Sequence, residues 1–285
     1  MCELLAMSSS QPARLSISLQ VLASRGGSAA STRDGWGAAY YQGLDVALFR
    51  EPTTAADSAL AHYLETQGPM TSTAISHIRH ATHGAVTLAN TQPFVRELAG
   101  RMHVFAHNGD LPGIANDAAL SLGAYRPVGQ TDSEHAFCAL LSRLGPLWAA
   151  ASPPSLESRL VLVDAFARVL RALGPANFLY ADGDALFVHA HRRIQPATGW
   201  IEPPGLWSLQ RHCPTPGRIG GDTTAQAEQA VTLIASVPLT DEAWQPLAEG
   251  ELMVLRDGKV MARKISTAHL VLSCNADAPL GFSIQ

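Results

Sequence analysis

Four short stretches of this chain carry residue types that could do chemistry together. In MCELLAMSS (1–9) a cysteine, Cys2, follows the initiator methionine. Methionine is readily removed before a small side chain, and the chain would then begin with a residue bearing both a thiol and a free α-amine. An α-amine titrates near ~8 and a thiol near ~8.5, so the amine can take the thiol proton directly or through a water. The competing reading is a small residue buried in a strand. In AHNGDL (106–111) an Asn-Gly pair ends an apolar run. Such a pair is ordinarily a turn, but it also sets the Asn108 amide beside the Gly109 backbone N–H, the two donors a tetrahedral oxyanion needs. In SHIRHATHG (76–84), Arg79 offers a planar fork suited to a carboxylate or to a surface ion pair, with Thr82 and His83 leading into Gly84. In GQTDSEHAF (129–137), Asp132 could serve a helix dipole or hold an ammonium group.

Other constellations are weaker. His77, His80 and His83 invite a metal, but in a strand the first and last would face one way and His80 the other, with no acidic residue nearby in sequence. No metal and no cofactor is expected. Cys138 lies on an apolar helical stretch with Phe137, Leu140 and Leu141 and reads as core, while Cys213 beside His212 falls in a loop-like HCPTPG. The glycines of DGWGAAY lack the third glycine and following helix of a dinucleotide fingerprint.

These residues need elements to hold them. CELLAM reads as a buried strand, and ARLSISLQVLASRGG as a helix with Leu15, Leu19 and Leu22 on one face. GWGAAYYQG and DVALFRE form a hairpin joined near Gly43 and Leu44, and AADSALAHYLETQG a helix ending at Gly68. TSTAISHIRHAT, PFVRELAG and RMHVFAHNG alternate as strands. TDSEHAFCALLSRLG starts a helix through a capping box of Thr131 and Glu134, and SLESRLVLVDAFARVLRALG is a second, longer helix. The rest reads as strands, with turns at Asp182-Gly183 and Asp257-Gly258. Strands, two central helices, then strands again argue for α+β layers rather than alternating βαβ units.

Composition narrows the partners. The 285 residues carry a formal net charge of -4, with 15% charged and 47% hydrophobic residues, enough for a sizeable core and without the basic excess that nucleic acid or an anionic membrane would ask for. No apolar run nears the ~20 residues of a membrane span, and Glu3 stands where a signal peptide would carry a basic residue. A cytoplasmic protein with reduced thiols is expected from this and from only 4 cysteines, which are not clustered.

Taken in order, the N-terminal Cys2, SRGG…DGWG, RHATHG, NTQPF, AHNGDL and TDSE closely resemble the class II glutamine amidotransferases, and the MCELLAMS start and DGWG look like the stand-alone, YafJ-type branch, related to γ-glutamyl hydrolases. The motif match spans residues 2 to about 140. The resemblance implies the N-terminal-nucleophile hydrolase fold, a four-layer αββα sandwich, here occupying 2–265 with a tail of unknown role at 266–285. It also implies roles: Cys2 attacks a glutamine side-chain carboxamide, Asn108 and Gly109 form the oxyanion hole, Arg79 grips the α-carboxylate with Thr82 and His83 shaping the loop, and Asp132 holds the α-amine. Arg25 matches the position that braces the nucleophile's surroundings, beside Trp36. Two positions depart from the family: Gln92 replaces a histidine and His80 an aromatic residue, and neither is expected to touch the chemistry.

The expected reaction is acyl transfer through a γ-glutamyl thioester on Cys2, with ammonia or another amine leaving and water releasing glutamate. Since Arg79 and Asp132 read only the amino-acid end, three readings stay open: a glutaminase that passes ammonia to a separate synthase, a hydrolase of γ-glutamyl peptides or γ-glutamyl thiol compounds, and a catalytically silent binding protein of the same fold.

Overall fold

The computed structural model describes residues 2–15, 21–22, 34–82, 84–214 and 228–265. Among them the strands are β1 (Glu3–Ala13), β2 (Gly35–Gln42), β3 (Asp45–Glu51), β4 (Thr71–Arg79), β5 (Phe94–Leu98), β6 (Arg101–Gly109), β7 (Ala176–Ala181), β8 (Leu186–His189), β9 (Arg193–Ile194), β10 (Ile201–Glu202), β11 (Trp207–Pro214), β12 (Glu228–Ala235), β13 (Gln245–Pro246), β14 (Glu251–Arg256) and β15 (Lys259–Ile265). Three α-helices lie within the described residues: α1 (Ala59–Gln67), α2 (Asp132–Ala150) and α3 (Leu156–Leu173).

The strands form a first sheet in the order β13-β11-β12-β1-β4-β2-β3 and a second in the order β15-β14-β8-β7-β6-β5, with β9 and β10 paired separately. The pairings are antiparallel. β1 runs through the middle of the first sheet and is buried on both faces, which explains why CELLAM reads as a continuous apolar run. Leu4 and Ala6 meet Val104, Leu179 and Met253 of the second sheet. Leu5 and Met7 face the other way, into a cluster with Trp36, Ile78, Ala61 and Leu64 under α1. On the far side of the second sheet, Phe105, Phe178 and Phe187 pack against Phe137, Leu141 and Trp148 of α2 and Phe166 of α3. Helix, sheet, sheet, helix is the expected αββα order of an α+β sandwich.

Local chemistry shapes the elements. The β14–β15 turn places Asp257 at φ 51° and Gly258 at φ 72°, the left-handed pair that a tight hairpin requires. The helix expected from Ala55 to Gly68 is broken at Ser58. That residue caps α1 by accepting from the Ala61 N–H at 2.9 Å and donates its hydroxyl to Glu51, leaving Ala55–Asp57 as a separate 3-10 turn. α2 continues past its expected end, through Gly145 and Pro146 to Ala150, because the extra turn buries Trp148 against the second sheet. Its capping box is only half made. Thr131 accepts from the Glu134 N–H at 3.2 Å, but the Glu134 carboxylate turns to the N–H groups of Val128 (3.0 Å) and Gly129 (2.6 Å) and to Arg96. Of the expected helix over 13–27, Val21 and Leu22 are helical and Leu15 is not, and the rest lies outside the described residues, as does the tail.

Candidate active site

The register of β1 on β4 pairs Glu3 with Ile78, which brings Cys2 to the end of the strand that carries Arg79. Alternation turns Cys2, like Leu4, toward the second sheet. The backbone of His80 holds the thiol from both directions: its N–H donates to Sγ at 3.3 Å and its carbonyl accepts from Sγ at 3.4 Å. Burial pushes the Cys2 thiol up to about 11, against the pull of the His80 N–H, the N-terminal ammonium and Arg79. A thiol so placed is a poor nucleophile at neutral pH unless a base takes its proton.

The second sheet delivers the donors. β6 outlasts its neighbour: β5 begins at Phe94, opposite Phe105, whereas β6 runs on to Gly109. Where the neighbour is missing, the side-chain amide of Gln92 takes its place, accepting from the His107 N–H at 2.6 Å and donating to the His107 carbonyl at 3.2 Å. The Asp110 N–H bonds the Pro175 carbonyl on the β7 side at 3.1 Å, so the alternation of an antiparallel ladder turns the Gly109 N–H to the edge that Gln92 occupies at His107. The intervening Asn108 donates its amide Nδ2 to the Cys2 carbonyl at 2.7 Å. Gly109 must be glycine, since a Cβ there would overlap the Pro175 carbonyl oxygen. Behind it His107 is buried and its Nδ1 lies 2.9 Å from Ser133 Oγ; desolvation holds its pKa down although the Asp132 charge pulls upward, which keeps it neutral.

Arg79 and Asp132 stand on either side. Arg79 is buried, and its Nη1 and Nη2 donate to the carbonyls of Ala85 and Gly84 at 3.1 Å each. Asp132, first residue of α2, accepts from the Leu111 N–H at 2.8 Å through Oδ2, and from the Ser133 N–H at 2.7 Å through Oδ1. Two residues after Gly109, Leu111 thus ties the end of β6 to the helix. An open hollow of about 410 Å3 reaches Asp132 from this side, lined among others by Asp110, Leu111, Pro127, Thr131 and His135. Thr82 is exposed on the loop after Arg79, while His83 and Arg25 lie outside the described residues. Trp36 does not face the cleft. It is buried on the outer side of the first sheet with Leu5 and Ile78, and its indole N–H donates to Glu51 at 3.1 Å, so it backs the two strands that carry Cys2 and Arg79.

Several contributors were not singled out in sequence. Glu3 is fully buried and pairs with buried Arg193 at 2.7 Å, while Arg193 Nη1 donates to the Ser236 carbonyl at 2.6 Å. Burial pushes the Glu3 carboxyl up to about 7, with Arg193 opposing. This pair pins the residue next to Cys2 across 190 positions of sequence, and no local pattern announces it. Asp34 Oδ2 accepts from the Ala81 N–H at 2.7 Å and lies 3.9 Å from His80 Nδ1, fixing the backbone turn that holds the thiol. Gln92 and the His80 backbone thus touch His107 and the Cys2 thiol directly. Of the three histidines weighed for a metal, His77 is buried between the sheets with its pKa lowered by desolvation to about 3. Cys138 is core, as expected, and the Cys213 side chain lies outside the described residues. Among the described residues no helix is long and apolar enough to cross a membrane.

The profile of the class-II glutamine amidotransferases matches residues 1–277. YafJ of Escherichia coli (strain K12), a protein named only provisionally as a glutamine amidotransferase, is 34% identical over 252 residues, covering 88% of this chain and 96% of that protein. A crystal structure from Pseudomonas aeruginosa PA01, described with the same activity by prediction, aligns with a TM-score of 0.63 at 34% identity over 92% of this chain and 100% of that one. The glutamine phosphoribosylpyrophosphate amidotransferase of B. subtilis, at 18% identity and a TM-score of 0.60, shares the fold; the alignment covers 93% of this chain and 49% of that one.

Proposed function

Because the chain belongs to the class-II glutamine amidotransferases, whose solved relatives share its N-terminal-nucleophile sandwich, we propose that it hydrolyses a γ-glutamyl amide through a thioester on Cys2. One observation carries the reading: Asn108 Nδ2 lies 2.7 Å from the Cys2 carbonyl, which sets the Asn-Gly donor pair against the nucleophile although 106 residues separate them.

With Met1 removed, the α-amine of Cys2 takes the thiol proton and Sγ attacks the carboxamide carbon. The negative charge on the former carbonyl oxygen is met by Asn108 Nδ2 and the Gly109 N–H. The tetrahedral adduct collapses by breaking the C–N bond, the α-ammonium returns its proton to the leaving nitrogen, and ammonia or an amine departs. Water then adds to the thioester with the same amine as base, the C–S bond breaks, and glutamate and the thiol are restored. Arg79 reads the α-carboxylate and Asp132 the α-amine, with Thr82 on the loop beyond Arg79. Trp36 backs the strands that carry Cys2 and Arg79. The substrate is thus a small γ-glutamyl compound, glutamine or an analogue, and a separate synthase is a candidate acceptor of the ammonia.

The test is glutamate release from glutamine and from γ-glutamyl amides, with acid-quenched samples analysed for a γ-glutamyl adduct on the N-terminal peptide. Cys2→Ala is expected to abolish both signals while keeping the fold. Undiminished release by Cys2→Ala would overturn the proposal. The ranking of kcat/KM among leaving groups then separates a glutaminase from a γ-glutamyl peptide hydrolase.

A further inference from the structure

The stretch Asn90-Thr91-Gln92 belongs to none of the catalytic or clamping residues, yet its two buried amides touch all three arms of the site. Asn90 Nδ2 donates at 2.9 Å to the Ala85 carbonyl, the oxygen that also accepts from Arg79 Nη1. Its Oδ1 accepts at 2.7 Å from the Gln130 N–H, two residues before Asp132. One amide therefore bridges the loop that engages Arg79 and the loop that leads into Asp132. Glycines make room on both sides: a Cβ at Gly84 would stand 2.9 Å from Asn90 Nδ2, and a Cβ at Gly129 would stand 2.6 Å from the Ala89 carbonyl while overlapping Asn90 Oδ1. Gln92, two residues on, holds the His107 backbone in the place of the missing strand, immediately before Asn108. Glycines admit this stretch as well. A Cβ at Gly35 would meet Thr91 Oγ1 at 3.0 Å and one at Gly37 would overlap the Gln92 carbonyl, so DGWG is shaped to let NTQP pass across the first sheet.

We propose that Asn90 and Gln92 are positioning residues with separate tasks: Asn90 sets the span between the Arg79 and Asp132 arms, and Gln92 sets the oxyanion strand. The assignment rests on the γ-glutamyl hydrolase reading above. Its physical content is a division of kinetic effects. Arg79 and Asp132 hold the amino-acid end equally in ground and transition states, so loosening their span weakens uniform binding and raises KM. Asn108 and Gly109 meet charge that exists only in the transition state, so loosening their strand lowers kcat. Each amide makes two hydrogen bonds at its own end of the stretch, so the effects separate although the residues are near neighbours.

The experiment measures kcat and KM of Asn90→Ala and Gln92→Ala with glutamine or whichever γ-glutamyl amide the parent turns over. The rate at which iodoacetamide, which carries no amino-acid end, alkylates Cys2 is followed in parallel. Asn90→Ala is expected to raise KM by about tenfold or more with kcat within about threefold, and Gln92→Ala to lower kcat by about tenfold or more with KM within about threefold. Alkylation by iodoacetamide should match the parent in both, showing the nucleophile undisturbed. Gly129→Ala, which keeps Asn90 but pushes on its Oδ1, should reproduce the KM effect, and it serves if Asn90→Ala fails to fold. Parallel changes of kcat and KM in both variants, or an unchanged KM in Asn90→Ala or Gly129→Ala, would overturn the positioning roles while leaving the reaction intact. A parent chain that turns over no γ-glutamyl compound would overturn the reaction and these roles together.

Discussion

The state of the Cys2 thiol offers the sharpest test, because its burial can be turned into a rate. With Met1 attached the residue next to Cys2 supplies an amide rather than an amine, and desolvation pushes the thiol up to about 11. The thiolate fraction at pH 7 is then about 10⁻⁴, against about 3 × 10⁻² for an ordinary thiol near 8.5, a deficit of about 300-fold. Removing Met1 places an α-amine of pKa near ~8 beside Sγ, and the reactive form then appears when that amine loses its proton. The perturbation is a chain whose N-terminus is extended so that Met1 is retained, set against the processed chain. The assay is alkylation by iodoacetamide between about pH 6 and pH 10, followed by mass spectrometry of the Cys2 peptide, together with glutamate release. The extended chain should react with a rate that climbs about tenfold per pH unit throughout that range, and should release no glutamate. The processed chain should react far faster at pH 7 and level off near pH 8. An extended chain that alkylates at pH 7 like an ordinary thiol would refute the burial argument. A processed chain whose rate still climbs beyond pH 9 would refute the amine as base.

Other expectations follow from single contacts. Gly109→Ala drives a methyl group into the Pro175 carbonyl, so the end of β6 must shift; if Asn108 and Gly109 are the proposed oxyanion donors, kcat should fall about 10²-fold with the far-UV circular dichroism unchanged. Asp132→Asn removes the charge offered to an α-ammonium while keeping an acceptor for the Leu111 N–H, and steady-state kinetics should show KM rising about tenfold or more with little change in kcat. Arg193→Met strands the Glu3 carboxylate in the interior, and urea unfolding at about pH 8 should show a loss of about 3–5 kcal/mol. Since the Glu3 carboxyl is raised in the folded chain already and would be raised further without its cation, protonation favours the folded state. The lost stability should return as pH falls toward 4.5 and disappear as pH rises through the folded value.

Much of the site was legible because its motifs are local. The Asn108-Gly109 pair, Arg79 before its glycine loop and Asp132 at a helix start each combine a side chain with the turn or cap that aims it. Their reading as one cleft came from the order of the motifs, which matches a known family. Local reasoning failed where two signals coincided at one residue. Glu134 satisfied the capping-box pattern, yet its carboxylate is spent on the Val128 and Gly129 N–H groups and on Arg96, because the carboxylate itself is buried and must be met by the donors packed around it. Gln92 looked like a harmless departure; its amide in fact replaces a strand. The Asp257-Gly258 and Asp182-Gly183 turns, by contrast, could be placed from the residue pair alone, since few residues tolerate their backbone angles.

By itself, then, the sequence determined which groups are present and how each is locally aimed: a thiol on the same residue as a prospective amine, two donors side by side, a fork and a carboxylate, and alternating apolar runs that had to become buried sheets. Only the tertiary structure decided what each of these groups faces. The antiparallel register that sets Glu3 against Ile78 puts Cys2 under the His80 backbone. The stacking of the second sheet brings Asn108 to it. The ion pair of Glu3 with Arg193 locks the arrangement from 190 residues away. The physical reason is that hydrogen-bonded turns and caps are written in neighbouring residues, whereas desolvation and charge pairing depend on which distant surfaces exclude water together.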